Sequence, residues 1–228
     1  MPLPFLDKDL VAAARRNPGF IGREILVYRK LESTNDTAWE LAAKGCRNGL
    51  VVCAETQLRG RGQFERIWES AAGKGLWFSV LIDLPENFND TALLTYWVAS
   101  TLAPALTLST ELPIRIKAPN DLYVYGKKLG GILVETRKQE NSKSHRQAVL
   151  GIGINVHQQR EDFSRSLREK AISVMLARQE EEFLKTTDPT MESIMAALLD
   201  ALENTREQVE NTPDLLRAKY EELTSQTF

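Results

Sequence analysis

Two cysteines and two histidines in 228 residues leave little from which to build a metal centre or a thiol catalyst. Cys46 and Cys53 do not form a CxxC pair, so a disulfide framework and a thiolate zinc site are both disfavoured. His145 and His157 stand apart, without the carboxylate pattern of a metal-binding helix. An excess of charge of one sign is also missing. The 29 basic and 31 acidic side chains leave a net charge of -2, which argues against a DNA or polyanionic-membrane partner for the chain as a whole. Any anion site must therefore be local. No window approaches the apolar length needed to span a bilayer. The start, MPLPFLDKDLVAAARRNPGF, has no basic segment followed by an uninterrupted apolar stretch and reads poorly as a signal peptide. The cytoplasm is the expected location. With no internal repeat, no long Pro/Ser/Gly linker and an ordinary globular composition, the expected organisation is a single domain over residues 1–228.

What is present is a run of strand-like segments followed by helices. LVVCAETQ (50–57) and GLWFSVLI (75–82) read as strands, and NDTALLTYWVASTLAPALTL (89–108) as a helix capped by Asn89 or Asp90 that Pro104 should kink or end. IRIK (114–117), LYVY (122–125), LGGILVET (129–136) and AVLGIGINV (148–156) follow, separated by turns at YG (125–126) and KQENSKSH (138–145). Successive strands without room for crossover helices imply an antiparallel meander, hence an α+β fold. Beyond residue 160 the period becomes helical. MESIMAALLDALENTREQVE (191–210) and a last helix from Pro213 through Glu222 are expected to cover one face of the sheet.

Four segments carry candidate chemistry. In AVLGIGINV, alternation places Leu150, Ile152, Ile154 and Val156 on one face and Gly151, Gly153 and Asn155 on the other. Glycines inside a strand mark close approach, either of a ligand or of a tightly packed helix. In KAPNDLYVYGKKLGGILVE (117–135), alternation puts Lys128 on the face of Gly130, where an ammonium could follow charge developing on phosphate oxygens; a solvated hairpin is the alternative. LESTNDTAWELAAKG (31–45) starts a short helix with Ser33 or Thr34 as cap, Ala38, Leu41 and Ala42 inward, and Gly45 as a left-handed stop. Its three consecutive polar side chains exceed what capping needs. Finally, ETQLRGRGQFERIW (55–68) concentrates Arg59, Arg61 and Arg66 around Gly60 and Gly62, a composition suited to a mobile hairpin or to a loop that grips an anion.

Together, STN (33–35), AETQ (54–57), GRG (60–62) with Trp68, KxPNDL (117–122), KLGGIL (128–133) and GIGINV (151–156) resemble the biotin protein ligases in order and spacing, over roughly residues 20–157. The resemblance implies a mixed, mainly antiparallel sheet with helices packed on one face, of the class II aminoacyl-tRNA synthetase type. It also implies a two-step reaction. Biotin and Mg-ATP give biotinyl-5'-AMP and pyrophosphate, and a lysine of a biotin-carrier domain then attacks the mixed anhydride. ATP and Mg2+ are thus co-substrates and biotin a substrate, with no bound prosthetic group and no metal ligands on the chain. The implied acceptor is the biotin carboxyl-carrier domain of acetyl-CoA carboxylase or another biotin-dependent enzyme, with the ligase a monomer or homodimer.

By the same resemblance, Ser33, Thr34, Asn35 and Gln57 line the biotin site, with Gly131 beside them. Arg61, Gly62 and Gln63 belong to the closing loop, and Lys128 stands between the carboxylate and the α-phosphate. Arg61 and Lys128 are the implied catalytic pair. Trp68, Asn120 and Asn155 are on the nucleotide side together with those two cations. The family usually continues GRG with another arginine and, after one more residue, a glycine, where this chain has Gln63, Phe64 and Glu65, so retention of biotinyl-AMP is expected to be weaker. Ala118 stands in place of the tryptophan of KWPND, a loss that neighbours must fill or that leaves the pocket looser. The sequence leaves no room for an N-terminal DNA-binding domain and ends without the small β-barrel-like domain that commonly follows, so no operon-repressor role is expected. A catalytically impaired homologue that binds biotin or an adenylate, and a lipoate or octanoate protein transferase, remain the alternatives.

Overall fold

The computed structural model describes residues 5–85, 88–138, 146–181 and 187–225. The elements run α1 (Lys8–Ala14), β1 (Ile25–Leu31), α2 (Thr34–Ala43), β2 (Val51–Gln57), β3 (Gly75–Leu84), α3 (Thr91–Thr110), β4 (Arg115–Lys117), β5 (Asp121–Val124), β6 (Lys127–Lys138), β7 (Arg146–Asn155), α4 (Val174–Gln179), α5 (Met191–Thr205), α6 (Gln208–Asn211) and α7 (Pro213–Ser225). The seven strands form one sheet in the order β1-β2-β3-β7-β6-β5-β4. Among the strands of the described residues, β1 and β2 pair in parallel, with α2 as the crossover between them, and the other strand pairs are antiparallel. The expected meander is therefore right from β4 to β7, whereas α1 and β1 were not anticipated, and α2, expected as a short helix, was not expected to join parallel strands. The turn expected at 138–145 lies, apart from Lys138, outside the described residues.

Alternation decides the two faces of the sheet. Phe78, Ile152 and Ile132 lie opposite one another on β3, β7 and β6, and with Leu150 and Ile154 they join the main core beneath α3 and α5. The opposite face carries α2, whose Ala38, Trp39 and Ala42 cluster with Leu50, Val52, Leu81 and Val149. The helices thus lie mainly, but not wholly, on one side.

Asp90 caps α3 by accepting from Leu93 N at 2.9 Å. The helix does not end at Pro104 but continues to Thr110. An internal proline costs roughly 3 kcal/mol, and the burial of Val98, Leu102, Ala103 and Leu106 around it opposes that loss. Over 18 residues the mean hydropathy of α3 is 1.3, long and apolar enough to cross a membrane by those measures alone, which corrects the expectation that no window would qualify. Here α3 is the central core helix. The helical run 191–210 is broken by a turn at Arg206 and Glu207 between α5 and α6.

A shift of register corrects the placement of Lys128. Leu122 pairs with Gly130, but Tyr123 pairs with Lys128, so Leu129 is an extra residue on β6. Leu129 is buried in the core, and a Cβ on Gly130 would meet Ile154 and Leu122 there. One residue on, Gly131 faces the other way, and a Cβ there would lie 3.5 Å from Lys128 Nζ. The bulge has moved Lys128 from the face of Gly130 to that of Gly131 and Gly153. Hydrogen bonds from Lys128 N to Lys170 O (2.8 Å) and from Ile172 N to Lys128 O (2.9 Å) hold the backbone in that position.

Candidate active site

Gly131 and Gly153 pair across β6 and β7 and leave a stretch of sheet without side chains beside α2. The indole of Trp68 lies over it. A Cβ on Gly131 would come within 3.0 Å of Trp68 Cζ3, and one on Gly153 within 2.7 Å of Trp68 Cε2. Trp68 stands edge-on to Trp77 of β3, with ring centroids 6.0 Å apart and planes at 69°. The Nε1 groups of both tryptophans are buried without a hydrogen-bond partner among the described residues. Lys128 Nζ is 5.3 Å from the Trp68 ring centroid and 2.6 Å from Asp121 Oδ1. An ammonium above an aromatic floor is stabilised by the ring quadrupole, and here it remains within reach of an incoming anion.

The polar end is built from three elements. Ser33 sits buried at the N-cap of α2, but its side chain makes no capping bond. Thr34 donates to Gln57 Oε1 from its backbone N (2.8 Å), and its hydroxyl lies 3.1 Å from the same oxygen. Gln57 Nε2 reaches Ser70 Oγ at 3.4 Å. Ser79 Oγ lies 2.7 Å from Thr34 Oγ1 and 2.6 Å from Asn35 Oδ1. Asn35 Nδ2 donates to Leu133 O at 3.4 Å, and its Oδ1 would be 2.4 Å from a Cβ on Gly151. Only glycine at 151 lets the amide lie against the strand.

The arginine-glycine segment closes one side. Trp68 N bonds to Gly60 O (2.8 Å) and Gly62 N to Arg66 O (2.7 Å), forming a narrow hairpin whose tip holds Phe64 in the left-handed region at φ 57°. Gly60 is required where a Cβ would approach Trp68 O to 2.6 Å. The three arginines have different partners. Arg59 pairs with Glu32 (3.3 Å), and the Arg66 guanidinium lies 6.0 Å from the Phe64 ring centroid. Arg61 turns inward to Asp36 (2.8 Å) and Glu135 (3.0 Å), and Trp39 Nε1 donates to the second Glu135 oxygen at 2.8 Å. A cavity of about 530 Å3 lies between Arg61, Gly62, Gln63 and Phe64 on the loop and Leu133, Val134 and Glu135 on β6. Glu65, at the end of the loop's short turn, has no described side chain.

The expected residues thus meet in two groups, Thr34, Asn35 and Gln57 at the polar end and Lys128, Trp68 and Gly131 over the bare sheet, with Arg61, Gly62 and Gln63 alongside. Asn120 and Asn155 have other partners. Asn120 Nδ2 donates to Ile132 O (2.7 Å), while Asn155 donates to Ile172 O (3.1 Å) and accepts from Gln158 Nε2 (2.9 Å). Ala118 is exposed on the turn between β4 and β5, where Tyr220 of α7 donates to Pro119 O at 2.8 Å. Trp77, Ser79, Asp36, Trp39 and Glu135 were not singled out from the sequence. A signal existed for Trp77 and Ser79, since alternation in GLWFS places both opposite Leu76 and Phe78. Cys53 is fully enclosed, and burial raises its thiol pKa well above the ordinary value, which makes it an unsuitable nucleophile. Among the described residues no group of three or more His, Cys, Asp or Glu is placed to hold a metal ion.

The sequence model of the Biotin/lipoate A/B protein ligase family matches residues 27–155. The bifunctional ligase/repressor BirA of Bacillus subtilis is 36% identical over 157 residues, covering 69% of this chain and 48% of that protein. A biotin--[acetyl-CoA-carboxylase] ligase of Mycobacterium tuberculosis is 32% identical over 146 residues, 61% of this chain and 52% of that one. The chain spans about half the length of these curated relatives. Among solved structures, the biotin protein ligase from Aquifex aeolicus in complex with biotin and ATP superposes with a TM-score of 0.73 and 25% identity, over 89% of this chain and 79% of that one.

Proposed function

From the premise that this chain belongs to the biotin/lipoate A/B protein ligase family, we propose that it is an ATP-dependent biotin protein ligase acting in the cytoplasm. One observation carries the reading. A polar cluster of Thr34, Asn35, Gln57 and Ser79, with Arg61 ion-paired to Asp36 and Glu135 beside it, and the cation Lys128 stand on either side of the Trp68 indole that covers the glycines of β6 and β7, an order of groups that corresponds to a ligand with a polar head, an apolar body and an anionic tail. Biotin has that form.

In the first step a carboxylate oxygen of biotin attacks the α-phosphorus of ATP. The new O–P bond gives biotinyl-5'-AMP, and pyrophosphate leaves with the electrons of the broken P–O bond. Two anions must approach for this to occur, so Lys128, whose charge is compact and rotatable, serves at the junction. Magnesium enters with ATP as part of the substrate. In the second step a lysine amine of the carrier domain attacks the acyl carbon and AMP leaves. The indoles of Trp68 and Trp77 exclude water from the floor beneath the intermediate, which strengthens the electrostatic contacts and limits hydrolysis. The acceptor proposed is the carrier domain of acetyl-CoA carboxylase or of another biotin-dependent enzyme. The names of relatives and the biotin and ATP bound to the Aquifex aeolicus enzyme support this reading.

The test is biotin-dependent pyrophosphate exchange, together with streptavidin detection of a carrier domain incubated with the protein, ATP, magnesium and biotin. Exchange and labelling are expected. The absence of both would overturn the reading, and exchange without labelling would limit it to adenylation.

A further inference from the structure

Ser79 lies at the centre of the polar end, fully enclosed on β3 and opposite Gly151. Its hydroxyl carries one proton but touches two oxygens, Thr34 Oγ1 at 2.7 Å and Asn35 Oδ1 at 2.6 Å. Thr34 Oγ1 has a third oxygen, Gln57 Oε1, at 3.1 Å. Two hydroxyl protons therefore serve three oxygen contacts. Asn35 Oδ1 and Gln57 Oε1 can only accept, and Gln57 Oε1 already accepts from Thr34 N at 2.8 Å. Thr34 Oγ1 donates to Gln57 Oε1, so the single Ser79 proton is shared between Thr34 Oγ1 and Asn35 Oδ1, with the shorter contact to Asn35. Reversing the Asn35 amide would instead set its oxygen against Leu133 O, where Nδ2 now donates at 3.4 Å. In this arrangement Asn35 turns its oxygen inward to Ser79 and keeps an N–H for the ligand head, while the Thr34 hydroxyl proton is directed at Gln57.

We propose that Ser79 is a positioning residue that sets which end of the Asn35 amide faces the ligand head, and thereby determines selectivity for a head that offers a carbonyl to Asn35. This rests on the reading of the pocket as a biotin site and assigns within it a residue that does not itself meet the reacting atoms. Without the Ser79 hydroxyl, Asn35 Oδ1 is left buried without its donor, and the amide is free to turn and present either end.

The full-length chain with Ser79→Ala or Ser79→Cys distinguishes this from a packing role. Cysteine keeps the volume but is a weak donor, so both variants should behave alike. Loss of a buried hydrogen bond predicts a rise of roughly 5- to 30-fold in the dissociation constant and KM for biotin, with kcat of pyrophosphate exchange and KM for ATP within about twofold of wild type. Selectivity is the readout that simple packing would not move. The preference for biotin over 2-iminobiotin, which replaces the carbonyl by a donor, should fall by a similar factor in calorimetric titrations. Unchanged biotin affinity and selectivity in both variants would overturn the proposal. So would recovery of wild-type behaviour by cysteine alone, or failure of both variants to fold in thermal denaturation, which would make Ser79 structural. Absence of biotin binding by the wild-type protein would instead remove the functional reading and this inference with it, an outcome separable from failure of the variants alone.

Discussion

The two faces of β7 sit one residue apart and do opposite things. Leu150, Ile152 and Ile154 point into the helix-covered core and contribute stability through buried area. Gly151 and Gly153, between them, contribute room: one admits the Asn35 amide and the other the Trp68 indole. The contrast shows that a strand can be read for function by what it omits. On the core face the missing atoms would be a cavity, and on the site face they are filled by side chains arriving from α2 and the arginine-glycine loop.

Substitutions that separate the faces test this division. The largest effect is expected from Lys128→Ala, which removes the cation above the bare sheet. Pyrophosphate exchange should fall by about 10²–10³-fold or more. Its thermal midpoint should shift little, because the partly exposed pair with Asp121 contributes at most about 1 kcal/mol. Exchange at the wild-type rate would take Lys128 out of the reaction.

Neighbours on β7 should then give opposite outcomes. Ile152→Ala is expected to cost about 2–5 kcal/mol of stability in denaturant titrations while leaving the biotin affinity of the folded protein unaltered. Gly151→Ala places a methyl 2.4 Å from Asn35 Oδ1, so it should weaken biotin binding about tenfold with a much smaller loss of stability, as calorimetry and denaturation together would reveal. If both variants lost stability equally and bound biotin equally, the faces would not be divided as argued.

The smallest effect concerns the loop. Gln63 borders the cavity between the loop and β6, and Arg61 is the loop cation that turns toward that strand. Gln63→Arg adds a second charge and should slow release of biotinyl-AMP severalfold at low ionic strength, less so at high salt. A release rate independent of residue 63 would show that retention depends on other groups.

Much of this was legible in the chain order. The alternation of GIGINV separates core from site, STN exceeds the needs of a cap, and GRG places flexible backbone beside cations. Each of these is a local pattern with a period of two or a spacing of a few residues, which a linear reading can resolve. The α+β class follows as well, since β4 to β7 succeed one another too closely for crossovers. Less was legible where the pattern was ambiguous. β1 carries Tyr28, Arg29 and Lys30 among its apolar residues and has no clear period, and Pro104 suggested an end to a helix that buried contacts carry onward.

Only tertiary structure decided which face Lys128 occupies. Its position depends on the extra residue Leu129, and a bulge is a property of a strand and its partner together, invisible to alternation along one strand. The same holds for Ser79, Asp36 and Glu135. None stands in a motif with the groups it serves, and β3, α2 and β6 bring them to Asn35 and Arg61 from distant parts of the chain. The sequence determined the kinds of groups and the two-sided strand that separates them; the fold decided their neighbours, because contacts across a sheet depend on register, which no single strand contains.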